Sequence, residues 1–366
     1  MAKIKIGTFN LNNLFERPII MELEGFSETG KEVLDDVAAL NMLIEKPVYD
    51  AATKLAAKQI LDKYLLDEIQ KDFFSVNEVR ENLFSLKQDG SGVEIVAGGR
   101  KDWVGWIELT KGTTNEISLS NTAKVIQAIN VDILCTVEVD SRVALNRFNH
   151  QLLKAKNVQF SHCMVIDGND DRGIDVGLLS NFEIVEIISH VDDFYLDSQN
   201  HKYEVFSRDC PEYKVKIRDG VFVTVLCNHL KSKGYGSQTQ NNAKRKKQTN
   251  RIIEILSKFD LTKDRVVVAG DFNDTPKSDP LKKLLKLANL CNVFDSPVFS
   301  GERWTYRTGS DQIDYLLVSK PLFDTISNVK IERRGIFKRN NPAFPEVTNK
   351  VTQASDHAAV WAEFEV

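Results

Sequence analysis

The stretch VVVAGDFNDTP at residues 266–276 constrains this chain more than any other. Three consecutive valines and an alanine specify a buried strand, because β-branched side chains suit a sheet covered on both faces. Gly270, Asp271, Phe272, Asn273, Asp274 and Pro276 cannot continue a buried ladder, so a carboxylate and an amide leave the strand together at its carboxyl end. Open α/β sheets place their ligands there. Read alone, the same residues also suit an ordinary polar turn; the rest of the chain supplies the partners that a site requires.

Charge and composition narrow the functional classes. At 366 residues, 42% hydrophobic and 27% charged, the chain has the balance of a soluble globular protein with a sizeable core. A net charge of −4 excludes a global cationic field for tight nonspecific DNA binding and leaves only a local basic patch. The five cysteines, Cys135, Cys163, Cys210, Cys227 and Cys291, are scattered without a CxxC, which favours small buried thiols over a disulfide frame or a zinc site. MAKIKIGTFN enters a strand by Ile4, leaving no room for the apolar core of a leader. Both features point to the cytoplasm; secretion stays open only through a leader upstream of this start. No apolar run approaches the ~20 residues of a membrane span, and no protein partner is indicated.

Taken in order, residues 3–9 form a strand ending in Asn10, Leu11, Asn12 and Asn13, and VDILCTVEVD at 131–140 is a second strand ending in Glu138. SNTAKVIQAIN at 120–130 reads as the helix between them. A strand, helix, strand unit needs only about 30 residues, so residues 14–115 read as an inserted, mostly helical and aromatic subdomain in a single catalytic domain spanning 1–366. Within it, Ala52, Leu55, Ala56, Ile60 and Tyr64 mark a helix in the stretch 49–74, and a short helix is expected near 76–86. Gly90, Gly92, Gly98 and Gly99 precede Trp103 and Trp106, which read either as core or as a stacking platform over the site. Beyond it, a helix is expected at 141–155 and strands at 158–166, 182–188, 203–208, 213–218 and 221–227, the last two a hairpin around Asp219 and Gly220. A helix running to about 259 feeds the opening strand, a short helix follows at 280–290, and strands at 303–307 and 312–319 precede the closing ASDHAAVWAEFEV.

Six polar points therefore lie at or beside strand ends: Asn10 with Asn12, Glu138, Asn228 with His229, Asp271 with Asn273, Asp314, and Asp356 with His357. Burying unpaired polar groups beside so many apolar strands is costly, and convergence on one site is the simplest account. The ordered pieces TFNLNN, CTVEV, NHLKS, GDFND, QIDYLLVS and SDHAAV resemble the endonuclease/exonuclease/phosphatase superfamily, over the start and about residues 118–366.

That resemblance implies a four-layer α/β/β/α sandwich of two mixed sheets and a phosphoester hydrolase dependent on Mg2+, with Mn2+ a possible substitute. It places Glu138, Asn12 and Asp356 on the metal side, Asn12 standing where one group of the superfamily has a carboxylate. Asn10, Asn228 and Asn273 become phosphate contacts. Asp271 becomes the residue that orients or deprotonates water, His357 the phosphate-facing histidine with Asp314 behind it, and His229 a second catalytic histidine. His150, His162, His190 and His201 lack such context and read as surface or satisfied core residues. Asp175 and Arg172 in GIDVGLLS and its approach either flank the site or pair with each other.

The substrate divides the possibilities. Lys231, Lys233 and the run Lys244, Arg245, Lys246 and Lys247, with Tyr235 in the intervening loop, and ERRGIFKRNN at 332–341, would serve DNA or RNA as phosphate and stacking contacts. They serve equally as solvated faces. A phosphodiesterase cleaving DNA or RNA is the leading function, a hydrolase of small or lipid phosphoesters the alternative, and a noncatalytic binding module the remote one.

Overall fold

The computed structural model describes residues 3–14, 20, 28–65, 73–110, 115–170, 172–234 and 237–366. Tyr235 and Gly236, Asp171, and residues 66–72 of the expected first helix lie outside the described residues. The chain forms two compact units, Met1–Phe15 with Asn115–Val366, and Glu16–Thr114.

In the first unit, alternation of apolar side chains builds two six-stranded mixed sheets. We number its strands β1 (Lys3–Leu14), β2 (Ile133–Val139), β3 (His162–Ile166), β4 (Asp175–Ser180), β5 (Glu183–Ile188), β6 (Glu212–Arg218), β7 (Val221–His229), β8 (Val266–Asp271), β9 (Leu290–Asn292), β10 (Asp314–Ser319), β11 (Ile326–Glu332) and β12 (Ala359–Glu365). One sheet runs β11-β12-β1-β2-β4-β3, the other β9-β10-β8-β7-β6-β5. Parallel pairs β1–β2 and β7–β8 sit at the heart of each sheet, and antiparallel neighbours flank them.

Each central strand splits its residues between two cores. Ile4, Ile6, Cys135 and Val137 of one sheet meet Val225, Cys227, Val267 and Ala269 of the other between the layers. The alternate residues Phe9, Leu134 and Leu179 pack outward with Val125, Ile126 and Ile129 of α1 (Glu116–Ile129) and Leu145 and Phe148 of α2 (Arg142–Phe148). On the far side, Leu226, Val268 and Leu317 pack with Ile252, Ile255 and Leu256 of α3 (Gln238–Leu256). The result is the expected four-layer sandwich. Local signals define its helices: Asn115 caps α1 by accepting from the Ser118 N–H, Asn130 ends it in the left-handed region, and Ser237 with Gln240 forms a capping box on α3.

Several elements differ from their sequence expectation because tertiary pairing overrode local pattern. RWTYR at 303–307 forms only an isolated bridge between Tyr306 and His357. The helix expected at 280–290 is a single turn, Lys282–Leu285, before β9 takes over at Leu290. Of 203–208, only the start pairs, as strand Lys202–Glu204 against Phe194–Leu196. The strand expected from 158 begins at His162, and Asp356 and His357 precede β12 rather than open it.

The second unit has helices Glu28–Ile44 and Ala51–Leu65 and two antiparallel strand pairs. The helix expected near 76–86 is instead strand Phe74–Arg80 paired with Val104–Leu109, followed by strand Phe84–Leu86 paired with Val93–Ile95. The buried stripe of the second helix is Thr53, Ala57, Leu61 and Tyr64, rotated from the expected face so that Leu55 is exposed. Trp103 is core, its Nε1 donating to Tyr49 Oη at 2.9 Å, whereas Trp106 is half exposed.

Gly270 ties the fold to the site. Its φ of +134° is open mainly to glycine, and a Cβ there would stand 1.9 Å from Asn228 O on β7. Gly270→Ala should therefore destabilise the protein by about 2 kcal/mol or more, read as a lower midpoint in urea unfolding. An unchanged midpoint would show that β7 and β8 can separate without cost.

Candidate active site

Two short rows of side chains face each other across the sandwich. In the second sheet, register sets His229 opposite Asp271 and Asp271 opposite Asp314, one residue from each of β7, β8 and β10. In the first sheet, the adjacent strands β12, β1 and β2 bring His357, Asn10 and Glu138 to the same end.

Asp271, 1% exposed, stands between the rows. Its Oδ2 accepts from Asn10 Nδ2 at 3.3 Å and lies 3.8 Å from Nε2 of both His229 and His357, while Oδ1 accepts from the Asn273 N–H at 2.7 Å. Burial pushes its carboxyl up to about 7; charged His357 opposes that rise, and Asp314 adds to it. Asp314 sits behind His357, both oxygens reaching Nδ1 at 3.0–3.1 Å, and is itself oriented by its own N–H donating to Thr305 Oγ1. Burial alone would lower His357, but Asp314 and then Asp271 overcome it and hold the ring well above its ordinary value. This ring is an imidazolium at neutral pH. His229 is the opposite: burial, then Arg208 and Arg172, drive it well below its ordinary value, so it stays neutral. Two histidines thus face one carboxylate in different charge states.

The strand ends are bent to make this possible. Inward alternation from Cys135 to Val137 would send Glu138 outward, but Glu138 adopts φ +59° and turns its carboxylate to Asn10 Nδ2 at 3.1 Å. Left-handed backbone at a non-glycine residue is strain of the kind that functional sites hold. Asn12 and Asn273 share that region, at φ +52° and +53°, where asparagine is at less cost. The Asn12 N–H donates to Asn10 Oδ1 at 2.9 Å, which aims the other end of that carboxamide at the two carboxylates. Asn273 Nδ2 donates to Leu230 O at 3.0 Å.

Not every candidate joins the cluster. Asn228 shares a face of β7 with Leu226, away from the space between the sheets; its Nδ2 donates to Leu226 O at 3.1 Å. A period of two makes His229 and Asn228 face opposite ways, so neighbouring polar residues could not both reach the centre. Asp356 lies at the margin, half-buried, 3.8 Å from His357 Nε2 and 3.7 Å from Arg307 Nε. His190 is a satisfied core residue between Asp193 at 2.9 Å and Glu212 at 2.8 Å. Arg172 pairs with Asp170 at 2.6 Å, whereas Asp175 accepts from the Gly168 N–H and is pushed by burial up to about 7.

Arg208 and Tyr306 were missed. Arg208 is 2% exposed, donates to Asp170 at 3.1 Å and to Leu230 O at 3.0 Å, and leaves Nε without a partner. Its only sequence signal is a charged residue inside the apolar surroundings of VFSRDC. Tyr306 presents a ring at 5.0 Å from the His357 ring, edge to face.

In the basic run after His229 each of residues 244–247 has an intramolecular partner, but only Arg245 is buried, and Lys246 and Lys247 stay exposed. Arg245 is buried on Asp274 and Lys231 O, Lys246 pairs with Asp279, Lys244 donates to Glu204 O, and Lys247 covers the Tyr195 ring at 3.0 Å. In the second cluster, Arg333 binds Trp304 O and Lys338 binds Thr308 O.

Two facing mixed sheets with a buried carboxylate and imidazole centre at their strand ends define a hydrolase of the four-layer class. The model of the Endonuclease/Exonuclease/phosphatase family matches residues 96–357, and the chain belongs to that family, a phosphoester hydrolase within it. Among solved structures, an endonuclease/exonuclease/phosphatase from Bacteroides vulgatus is 16% identical, with a TM-score of 0.50 over 69% of this chain and 91% of its own. One from Beutenbergia cavernae is 17% identical, with a TM-score of 0.50 over 70% of this chain and 67% of its own. Among curated protein sequences, none matches.

Asp271 sets a pH dependence. A carboxyl that binds its proton more tightly folded than unfolded stabilises the fold at low pH and loses that contribution as pH rises through its folded value. Metal-free protein should therefore lose Tm as pH rises from about 4 to about 7, and Asp271→Asn should flatten that slope. An equally steep slope in the variant would assign it to other groups.

Proposed function

We propose that the protein is a Mg2+-dependent phosphodiesterase, able to use Mn2+, that cleaves DNA or RNA by in-line attack of water. The observation that carries this reading is Asp271 Oδ2 set 3.8 Å from Nε2 of two imidazoles, one of them backed by Asp314.

The donor set fits a divalent ion. Ligand atoms of Glu138, His229 and Asp271 lie within 4.8 Å of one another, as do those of Asp271, Asp314 and His357. The second set is already closed by the Asp314 to His357 pairing. The ion belongs at Glu138, where two carboxylates share one amide donor from Asn10. Hard cations prefer such oxygens; Asn12, in place of a carboxylate, adds no charge. Bound there, the ion supplies positive charge to the phosphate oxygens.

The chain's own groups do the rest. Asp271, its carboxylate held by the Asn10 amide and the Asn273 N–H, takes a proton from water. His357 offers its Nε2–H to a phosphate oxygen, its ring orientation held by Asp314 and its charge supported by Asp314, Asp271 and Asp356. Asn10 fixes the two carboxylates, and Asn273 retains an amide N–H for phosphate beyond the one given to Leu230 O. We take Glu16–Thr114 as an insertion in this catalytic domain and place the protein in the cytoplasm, the latter supported by its five unpaired thiols. Among the described residues no helix is long and apolar enough to cross a membrane.

The burial of Arg245 on Asp274, which removes one cation of the 244–247 run from the surface, favours a second reading, in which the substrate is a small phosphoester rather than a long nucleic acid. A panel of plasmid DNA, single strands, RNA and generic diesters, assayed with Mg2+ and Mn2+, separates the two. EDTA should abolish activity, and Asp271→Ala and His357→Ala should each cost about 10²–10⁴ in rate. Turnover surviving EDTA would remove the metal. Cleavage of generic diesters with no nucleic acid touched would transfer the assignment to the second reading.

A further inference from the structure

Tyr306 and Arg307 continue the row of site side chains outward from His357. Backbone bonds fasten this segment: the Arg307 N–H donates to Asp356 O at 2.9 Å, the Ala358 N–H to Thr305 O at 2.7 Å, and the Thr305 N–H to Asp311 O at 2.9 Å. Antiparallel pairing sets Tyr306 opposite His357, so the two side chains stand on one face. The Tyr306 ring centre lies 5.0 Å from that of His357, and the Arg307 guanidinium carbon lies 5.5 Å from the Tyr306 ring centre. Exposure rises along the row, from buried His357 through half-buried Tyr306 to Arg307 with 46% of its side chain in solvent. An imidazolium, an aromatic ring and a guanidinium thus follow one another from the reacting centre to the surface.

Arg307 differs from the other arginines around the site. Arg172 and Arg208 share Asp170, and Arg245 sits on Asp274, each at 3.1 Å or less. Arg307 Nε is 3.7 Å from Asp356 Oδ2, a charge contact too long for a hydrogen bond. Exposed pairs of this kind hold their members weakly, so the guanidinium can turn to a ligand at little cost. The other oxygen of the same carboxylate is 3.8 Å from His357 Nε2. One carboxyl group therefore separates Arg307 from the nitrogen that faces the scissile phosphate. Tyr306 adds no charge between them, because burial and then Asp356 push its phenol up to about 12.

A guanidinium carries a planar fork of donors that matches phosphate oxygens. A nucleic acid strand repeats phosphate, nucleoside, phosphate, which is the order in which imidazolium, ring and guanidinium stand here. We infer that Arg307 binds a second phosphate of the substrate, one nucleoside away from the phosphate under His357, and so selects diesters that carry such a neighbour. The inference rests on the phosphodiesterase reading and deepens it: the preferred substrate is an oligonucleotide or a phosphorylated dinucleotide, and an isolated diester lacks the contact. A choline-type phosphoester has no second phosphate and gains nothing from Arg307.

The test compares the full chain as wild type, Arg307→Gln and Arg307→Lys on four diesters: thymidine dinucleotide with a 5′-phosphate, with a 3′-phosphate, with neither, and bis(4-nitrophenyl) phosphate. For wild type, kcat/KM on at least one phosphorylated dinucleotide should exceed that on the bare one by about tenfold, mostly through KM. Arg307→Gln should remove that advantage, Arg307→Lys should restore part of it, and added salt should shrink it. No advantage in wild type, an advantage that survives Arg307→Gln, or equal losses on all four diesters overturns the inference. If none of the four is cleaved, the phosphodiesterase reading fails, and calorimetry decides the contact separately with thymidine 3′,5′-bisphosphate and thymidine 5′-monophosphate. Tighter binding of the bisphosphate that Arg307→Gln abolishes supports the second phosphate contact; equal binding of the two nucleotides overturns it.

Discussion

The arrangement of this protein depends on one buried carboxylate shared between two sheets. Asp271 is delivered by a fully buried strand of valines and alanine, yet its oxygens are met by an amide from the opposite sheet, a backbone N–H from its own loop and two imidazoles. Burial raises the energy of its charged form, and the imidazolium of His357 partly restores it. Neither sheet can supply this balance alone. The carboxylate and its neutral histidine come from the second sheet, and the charged histidine, the amide and Glu138 come from the first. A polar centre in such a place costs stability, which the layers on either side, with their close apolar packing, offset.

Backbone irregularity concentrates where the chemistry is. Glu138, Asn12 and Asn273 take left-handed dihedrals, Gly270 lies at φ +134°, and the pairings of β1 with β2 and β2 with β4 shift register at the same end. Regular strands can present only alternate residues to one face. Bringing Glu138 inward directly after Val137 requires a break in that alternation, and the positive φ is that break. The asymmetry of the two histidines has a similar local cause. His357 has a carboxylate behind it and His229 has guanidiniums nearby, so identical side chains carry different charge within the same few ångströms.

The cationic segments show how composition misleads when partners are unknown. KRKK at the start of a helix suggests a surface for polyanions, but Arg245 is buried on Asp274 and its neighbours find carboxylates, a carbonyl and a ring. Charge counted along a sequence therefore overstates the charge offered to a ligand, here by the buried Arg245. Arg208 is the converse, a lone arginine without a motif that is buried beside Asp170 and helps to keep His229 neutral.

Much was legible from the chain alone. The valine run and the strands ending in Glu138, His229 and Asp271 are local: β-branched runs and alternation act over a few residues, so they read correctly without knowledge of the rest, whereas the first helix starts at Glu116, ahead of the expected 120. Short segments such as 76–86 and 303–307 did not read correctly, because periodicity over so few residues is ambiguous and a distant partner decides. The sequence by itself determined which residue types stand at the strand ends, since buried strands tolerate polar groups only there. Which of those side chains turn inward, which histidine is charged, and that Asn228 faces away were decided only by tertiary structure. Each depends on register, dihedral sign and burial between sheets whose strands lie more than a hundred residues apart.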